Sequence, residues 1–252
     1  MWREQSSSSI EENSLFHLGN EDIGYGETIV LRGLSLSIRA GERVALVGES
    51  GSGKSTLLHL LHARYPSHVA LIPQDPGLVR SLSVFHNIFM GSLDRHSVVY
   101  NLLNLAWPRP AELHRIRPLV ERLNLVDKLF ERAGELSGGQ QQRTAICRAL
   151  LQGGDAVLAD EPVSAADNHQ SRVILEALLE YFETSVLAMH DVDLALEYST
   201  RIVGIKDGVI ALDMPSEELT QQNLGFLYKE TEKCPPRWCW IRRSVGHHRW
   251  HG

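Results

Sequence analysis

The 252-residue chain has few cysteines and no long apolar run. Its three cysteines, Cys147, Cys234 and Cys239, are too scattered for a disulfide framework and suit a reducing cytosol. No stretch of roughly eighteen consecutive apolar residues occurs, so we expect that the chain does not cross a membrane by itself. The opening stretch MWREQSSSSIEENS has no apolar segment behind its charges, which argues against a secretory signal. These absences predict a cytosolic protein.

A strong excess of one charge is also missing. The chain has 25 Lys and Arg against 31 Asp and Glu, giving a net charge of −6 and a pI near 6.1. This balance does not favour broad nucleic-acid binding. The hydrophobic fraction of 43% and the charged fraction of 22% are typical of globular proteins. The length suits one large domain or a core with an inserted subdomain.

Strand patterns alternate with helix patterns along the chain, which predicts a mainly parallel α/β sheet. Alternation over about 25–39 predicts strands that end in a turn at Ala40-Gly41. Further strands are predicted at RVALVG, VALIPQ, AVLAD and SVLAMH, and a hairpin at RIVGIKDGVIALD. Helices are predicted at 55–63, 141–151 and 170–181, and after SVLAMH.

The composition divides the chain into three parts. Residues 1–12 are polar and Ser-rich and form a predicted leader. Residues 13–229 form the predicted main domain, in which about 82–140 has mostly helical patterns and is interpreted as an inserted subdomain. Residues 230–252 form a separate basic tail rich in Cys, Trp and His.

The stretch GESGSGKST at 48–56 matches the pattern G-x-x-x-x-G-K-[ST]. Its glycines allow backbone N–H groups to approach phosphate oxygens, and the helix that follows favours anions at its N-terminus. Lys54 would reach the β- and γ-phosphates, and the Ser55 hydroxyl would bind Mg²⁺. The alternative is a flexible Gly/Ser loop, but the flanking strand and helix favour a nucleoside triphosphate. The residues assigned to binding are Gly48, Ser50, Gly51, Gly53, Lys54, Ser55 and Thr56.

Two adjacent acids end the predicted strand AVLAD. Asp160 occupies the position of an acid that holds the Mg²⁺ shell, and Glu161 that of a base that orients or deprotonates water. By themselves they could equally form a solvated turn. The phosphate loop upstream favours the catalytic interpretation.

The stretch LSGGQQQR at 136–143 is the most specific feature. Ser137 can cap a helix, while Gly138 and Gly139 leave room for an anion at its N-terminus. The tripeptide SGG alone is a common linker. Together with Gln140, the stretch LSGGQQQR resembles the signature motif of ATP-binding cassette (ABC) ATPases. The family's other motifs follow the same order: an aromatic at Tyr25, a Q-loop glutamine at Gln74, a D-loop aspartate at Asp167 and a switch histidine at His190.

The resemblance implies a fold, a site and an assembly. The implied fold is a P-loop (RecA-like), mainly parallel sheet with an N-terminal antiparallel β-subdomain and an inserted α-helical signature subdomain. ATP with Mg²⁺ would be sandwiched between two copies, with Tyr25 stacking on adenine and the signature segment touching ATP held by the partner's phosphate loop. Glu161, His190 and Gln74 are the implied catalytic residues, with Gln74 also a metal ligand.

The implied cellular role is import. The chain would be a peripheral subunit at the cytoplasmic face of the inner membrane, bound to permease subunits and indirectly to a solute-binding protein, with no nucleic-acid partner. The string HDVDLALEYS and a following ELT resemble phosphonate-importer ATPases. A soluble ABC-type subunit of a metabolic complex, such as one for phosphonate breakdown, stays open. DNA-repair and translation ATPases rank lower, because they usually have two cassettes or long coiled-coil insertions.

Two segments depart from the family pattern. Only nineteen residues separate Lys54 from Gln74, which predicts a smaller β-subdomain on the adenine side. The tail from residue 233 has five Lys or Arg, three Trp and no acidic residue. A metal site at Cys234 and Cys239 does not fit a usual zinc spacing. Contact with anionic lipid headgroups and a disordered extension are the two remaining interpretations.

Overall fold

Five parallel strands and one antiparallel strand form the central sheet, seen in a computed structural model that describes residues 14–26, 28–66 and 68–228. The strands are β3 (Arg43–Val47), β4 (Val69–Ile72), β5 (Ala156–Asp160), β6 (Thr184–Ala188), β7 (Arg201–Lys206) and β8 (Val209–Pro215). Their order is β4-β5-β6-β3-β7-β8, and only β8 runs antiparallel to its neighbour. Every residue of β5 and β6 is buried, as expected for parallel strands covered on both faces. The predicted mainly parallel sheet is confirmed.

A second sheet pairs β1 (Ser14–Tyr25) with β2 (Thr28–Arg39) antiparallel. The sequence pattern predicts strands only from about residue 25, so most of β1 was not predicted. The apolar alternation of Phe16 and Leu18 is broken by register shifts further along, and Asn20 has a φ of 49°. Within the described residues this sheet has two strands, in agreement with the predicted reduction of the β-subdomain.

The described residues also contain eight α-helices. They are α1 (Lys54–Arg64), α2 (Val84–Phe89), α3 (Val98–Ala106), α4 (Pro110–Arg122), α5 (Gly138–Gln152), α6 (Asn168–Tyr181), α7 (Val192–Tyr198) and α8 (Gln221–Leu224). Helix α5 packs against α2 and α4. It begins three residues before its predicted start because Ser137 caps it. Strand β4 stops at Ile72, before Pro73, which has no N–H to donate. The subdomain boundaries at 82 and 140 stay a prediction.

The sheet separates two hydrophobic cores. Along β3, Val44 and Leu46 face the core beneath α1 and the β1–β2 sheet, while Ala45 and Val47 face the core beneath α2 and α4–α7. This alternation is the period of two expected of a strand. Cys147 is buried in the second core, and burial raises the pKa of its thiol, which makes it unreactive.

The predicted leader at 1–12 and the predicted basic tail at 230–252, with Cys234 and Cys239, lie outside the described residues. Among the described residues, no helix has the combined length and apolarity needed to span a bilayer.

Candidate nucleotide site

The predicted site residues meet at the carboxyl edge of the central sheet. Strand β3 leads into Gly48, β5 ends at Asp160, β6 precedes His190, and β4 precedes Gln74. All four strands are parallel, so their carboxyl ends share one edge. Ligands of open α/β sheets bind at this edge, where strand order reverses. Here β3 lies between β6 and β7, far from its sequence neighbour β4.

The phosphate loop follows β3 and begins α1. Gly48 and Gly53 have φ values of 147° and 107°, which disfavour any side chain. A Cβ at Gly48 would lie 2.2 Å from the Ile205 carbonyl oxygen, and one at Gly53 would lie 2.5 Å from a methyl of Leu31. Two of the pattern glycines are therefore required by the fold itself. The loop carries Ser50 and Gly51 at its exposed tip and places Ser55 and Thr56 in the first turn of α1.

The Lys54 side chain is held inside this loop. It is only 5% exposed, and its Nζ donates to the carbonyl oxygens of Gly48 at 2.9 Å and Glu49 at 2.8 Å. Burial lowers the pKa of Lys54, and the nearby carboxylates of Glu161 and Asp160 oppose that shift. The ammonium group thus lies between the loop and the acids at the end of β5.

Glu161 contacts His190 directly. A Glu161 carboxylate oxygen lies 2.6 Å from His190 Nε2. The Glu161 backbone has a φ of 51°, uncommon for a residue with a side chain. Its N–H donates to the Ala188 carbonyl at 3.0 Å, which ties it to the end of β6. The neighbouring Asp160 carboxylate is buried.

A cleft of about 360 Å³ adjoins this pair. Its polar lining includes Glu161, His190, Asp191, Ser164 and Asn168. A larger groove of about 630 Å³ lies at the opposite edge of the sheet, where β3 and β7 begin, and contains none of the predicted site residues. The chemistry of the carboxylate and imidazole makes the smaller cleft the relevant one.

The signature segment forms the N-terminus of α5 but is not joined to the phosphate loop. Ser137 and Gln140 form a capping box, each side chain bonded to the other's backbone N–H. Within the described residues, no hydrogen bond links them to residues 48–56. Gly138 is exposed, and a Cβ there would meet no atom within 4 Å. The segment is therefore a free helix N-terminus facing outward from its own chain.

Three other predicted residues lie at the surface. Tyr25 is 62% exposed at the end of β1. Gln74 is exposed two residues beyond β4. Asp167 caps α6 by accepting from the Gln170 N–H at 2.8 Å. None of these three contacts the Glu161–His190 pair through a hydrogen bond among the described residues.

Gln142, which has no predicted role, reaches the site from α5. Its Nε2 donates to the Glu161 carbonyl oxygen at 2.7 Å, and its side chain is buried. Ser164 Oγ donates to the same oxygen at 3.1 Å. The only signal in the sequence was the run of three glutamines after the signature glycines, which does not indicate which glutamine points inward.

The residues at this edge suit a magnesium ion. Asp160 offers a buried carboxylate and Ser55 a hydroxyl at the start of α1. No cluster of three or more acidic, His or Cys side chains able to hold a metal occurs among the described residues. Mg²⁺ commonly takes one or two protein ligands, with water and phosphate oxygens completing its shell. The donor set therefore fits Mg²⁺ bound together with a nucleotide.

Comparison with known proteins gives consistent matches. Residues 31–164 match the ABC transporter family. The chain is 38% identical to the phosphonates import ATP-binding protein PhnC 1 of Pseudomonas syringae pv. tomato, over 86% of this chain and 92% of that protein. It is 34% identical to the phosphonates import ATP-binding protein PhnC of Pseudomonas putida, over 89% and 93% of the two chains.

A similar fold is found among solved structures. A dimeric, post-hydrolysis ATP-binding cassette bound to ADP and phosphate aligns with a TM-score of 0.69 and 24% identity. The alignment covers 79% of this chain and 98% of that one. At this identity the likeness shows the fold alone.

Proposed function

The chain belongs to the ABC transporter family, and from that premise we propose that it is the ATP-hydrolysing subunit of a phosphonate importer. The observation that carries the ATPase role is the 2.6 Å contact between Glu161 and His190 beside the phosphate loop that holds Lys54. The phosphonate assignment is supported by the names of relatives similar over most of the chain.

The proposed roles are those that the family resemblance implies for the residues at this edge. Lys54 and the loop N–H groups bind the β- and γ-phosphates, with Gly48, Ser50, Gly51, Gly53 and Thr56 shaping the loop. Ser55, Asp160 and Gln74 hold Mg²⁺, which neutralises phosphate charge when bound. Glu161 accepts a proton from the attacking water, and His190 holds the Glu161 carboxylate in place and contacts the γ-phosphate.

The proposed assembly is a dimer of two identical chains. Ser137 and Gly138 are exposed and Gly139 and Gln140 are half-buried, so the segment is open at its tip to a γ-phosphate held by the partner. Asp167 lies at the same exposed surface, and Tyr25 stacks on adenine. Closure of the dimer on ATP and its opening after hydrolysis would drive transport.

The proposed location is the cytoplasmic face of the inner membrane. The chain would bind integral-membrane permease subunits there through residues 82–140, with Gln74 linking them to the site. A solute-binding protein would then act through the permease without touching this chain.

The test is purification of tagged protein from solubilised native membranes with and without ATP, followed by mass spectrometry. We expect a multispan permease to be recovered, and its solute-binding partner to bind phosphonate. Glu161→Gln protein should retain the permease and bind ATP as a stable dimer, yet show ATP turnover lowered at least about a hundredfold.

The matched control is Glu176→Gln on α6, away from the candidate site. Recovery of soluble enzymes alone would overturn the transport role and favour a metabolic complex. Wild-type turnover by Glu161→Gln would overturn the assignment of the base.

A further inference from the structure

Arg148 on α5 holds the loop that follows Gln74. Its guanidinium donates through Nη2 to the Pro76 carbonyl oxygen at 2.8 Å and through Nη1 to the Gly77 carbonyl oxygen at 3.2 Å. The planar guanidinium fork suits two neighbouring acceptors, and both bonds join residues more than 70 positions apart in sequence. The loop is therefore tethered to α5 immediately beyond Gln74.

The Arg148 side chain has no acidic partner within the described part of the chain. It is half-buried, and burial lowers the pKa of its guanidinium without any carboxylate to oppose the shift. A buried charge that lacks an opposite charge costs free energy. The charge-assisted hydrogen bonds to the loop carbonyls offset that cost. Holding the loop therefore explains a guanidinium at this position, where packing alone would favour an apolar side chain.

The other end of this loop is held separately. Asn87 of α2 accepts from the Val79 N–H at 2.8 Å and donates to the Val79 carbonyl oxygen at 3.1 Å. Among the residues that the structure describes, only Arg148 forms a hydrogen bond from outside the loop to residues 74–78. The position of Gln74 thus depends on Arg148 more than on any other tether of the loop.

Helix α5 also holds the backbone of the candidate base. Gln142, earlier on the same helix, donates to the Glu161 carbonyl oxygen at 2.7 Å. Because α5 is continuous from Gly138 to Gln152, the contacts made by Gln142 and Arg148 are fixed relative to each other. One helix therefore sets the positions of the Glu161 backbone and of the loop after Gln74.

We propose that Arg148 is a positioning residue that holds Gln74 where it can bind Mg²⁺ beside the nucleotide. The inference rests on the proposed function of Gln74 as a magnesium ligand. Gln74 is exposed and lies two residues before the first tethered carbonyl, so release of the tether lets its side chain move away from the site. A metal ligand that is held loosely binds its metal more weakly. Arg148 thus supports Mg²⁺ binding without touching the ion.

The experiment is equilibrium binding of the non-hydrolysable ATP analogue AMP-PNP, measured with Mg²⁺ and again with EDTA. The ratio of the two dissociation constants is the gain in affinity that Mg²⁺ provides, here called the Mg²⁺ gain. General damage to the nucleotide site weakens binding under both conditions, whereas displacement of a metal ligand lowers the Mg²⁺ gain alone. The variants are Arg148→Met, Gln74→Ala and the double variant. The matched control is Arg122→Met, because Arg122 likewise joins two elements through its bond to Glu180 at 2.7 Å.

We expect Arg148→Met to lower the Mg²⁺ gain about three- to tenfold, while affinity in EDTA changes less than about twofold. Gln74→Ala should lower the gain at least as much, and the double variant should be no worse than Gln74→Ala, because Arg148 acts through Gln74. Arg122→Met should keep the wild-type gain. Arg148→Lys presents one ammonium in place of the planar fork and should give an intermediate gain. It is the test variant if circular dichroism shows that Arg148→Met does not fold.

A reduced Mg²⁺ gain in Gln74→Ala, with a wild-type gain in every folded Arg148 variant, would overturn the inference and leave the role of Gln74 intact. Additive losses in the double variant would also overturn it, because Arg148 would then act independently of Gln74. A wild-type gain in Gln74→Ala would instead overturn the proposed role of Gln74 as a magnesium ligand, and the inference with it.

Discussion

A single side chain, Gln142, joins the signature helix to the candidate base. It donates to the carbonyl of Glu161, whose φ of 51° needs support from its surroundings. The bond runs within one chain, from the second turn of α5 to the end of β5. Movement of the signature helix would therefore displace the backbone that carries the Glu161 carboxylate.

Replacing Gln142 by Leu should impair turnover more than nucleotide binding. The variant keeps the side-chain size but loses the donor, so Glu161 can shift away from the attacking water. We expect kcat to fall about tenfold or more while KM for ATP changes less than about twofold. Steady-state ATPase kinetics measure both quantities.

The matched control is Gln141→Leu, whose amide donates to the Leu136 carbonyl at 3.0 Å on the same helix. Equal losses of kcat in the two variants would argue against a positioning role for Gln142. A Gln142→Leu variant in which only the melting temperature changes would also argue against a positioning role.

Residue types at this site were predictable, but their contacts were not. The pattern around Lys54 and the acids at 160 and 161 indicated the chemistry from local sequence. The contact from Gln142 joins residues nineteen positions apart in sequence. It depends on how α5 packs beside the end of β5, which no sequence spacing predicts. The steric need for glycine at 48 likewise comes from Ile205, a distant strand residue.

At the scale of elements, the short helix α2 contains a pH-sensitive group. Ser83 caps α2, and its Oγ lies 2.7 Å from His86 Nδ1. Burial lowers the pKa of His86 from its ordinary value of 6.5, against the opposing effect of the backbone at Leu105 and Asn104. The folded chain therefore favours the neutral imidazole at a point where α2 meets α3.

The sign of the resulting pH dependence follows from linkage. Because the folded pKa is depressed, the stability that His86 contributes is complete above about pH 6.5 and is lost as the pH falls toward the folded value. We expect the melting temperature of His86→Gln to fall less than that of wild type between about pH 7.5 and pH 5.5.

The control is His114→Gln, at an exposed position on α4. It should retain the wild-type slope of melting temperature against pH. A slope for His86→Gln as steep as that of wild type would refute the assignment.

Periodicity predicted most elements, and its failures have physical causes. Strands β5 and β6 were found because each is a short continuous apolar run, buried on both faces, and helices α5 and α6 because each has one buried face that recurs with helical spacing. Strand β1 was missed because its register shifts interrupt the alternation. The exposure of the apolar side chains of α3 could not be predicted, because a helical period does not tell which side of the helix points inward.

At the scale of the whole molecule, the proposed site is incomplete in one chain. The phosphate loop and the Glu161–His190 pair share one edge, while the signature helix presents its N-terminus outward. The sequence indicated this separation only through the family resemblance, because Glu161 lies further along the chain than the signature segment and yet shares the edge with the phosphate loop. Which chain completes the site is a question that mixed dimers can answer.

Two inactive variants should therefore restore activity when mixed. Lys54→Ala removes the phosphate-binding ammonium, and Gly138→Glu blocks the signature helix while adding a side chain where the fold leaves open space. In a two-fold dimer of either variant, both composite sites are broken. A mixed dimer contains one site with Lys54 from one chain and Gly138 from the other, so random mixing should recover about a quarter of wild-type ATPase activity. Activity is measured after the chains have exchanged without nucleotide. No recovery on mixing would mean that each chain completes its own site, and wild-type turnover by Gly138→Glu alone would mean that the signature segment takes no part in the site.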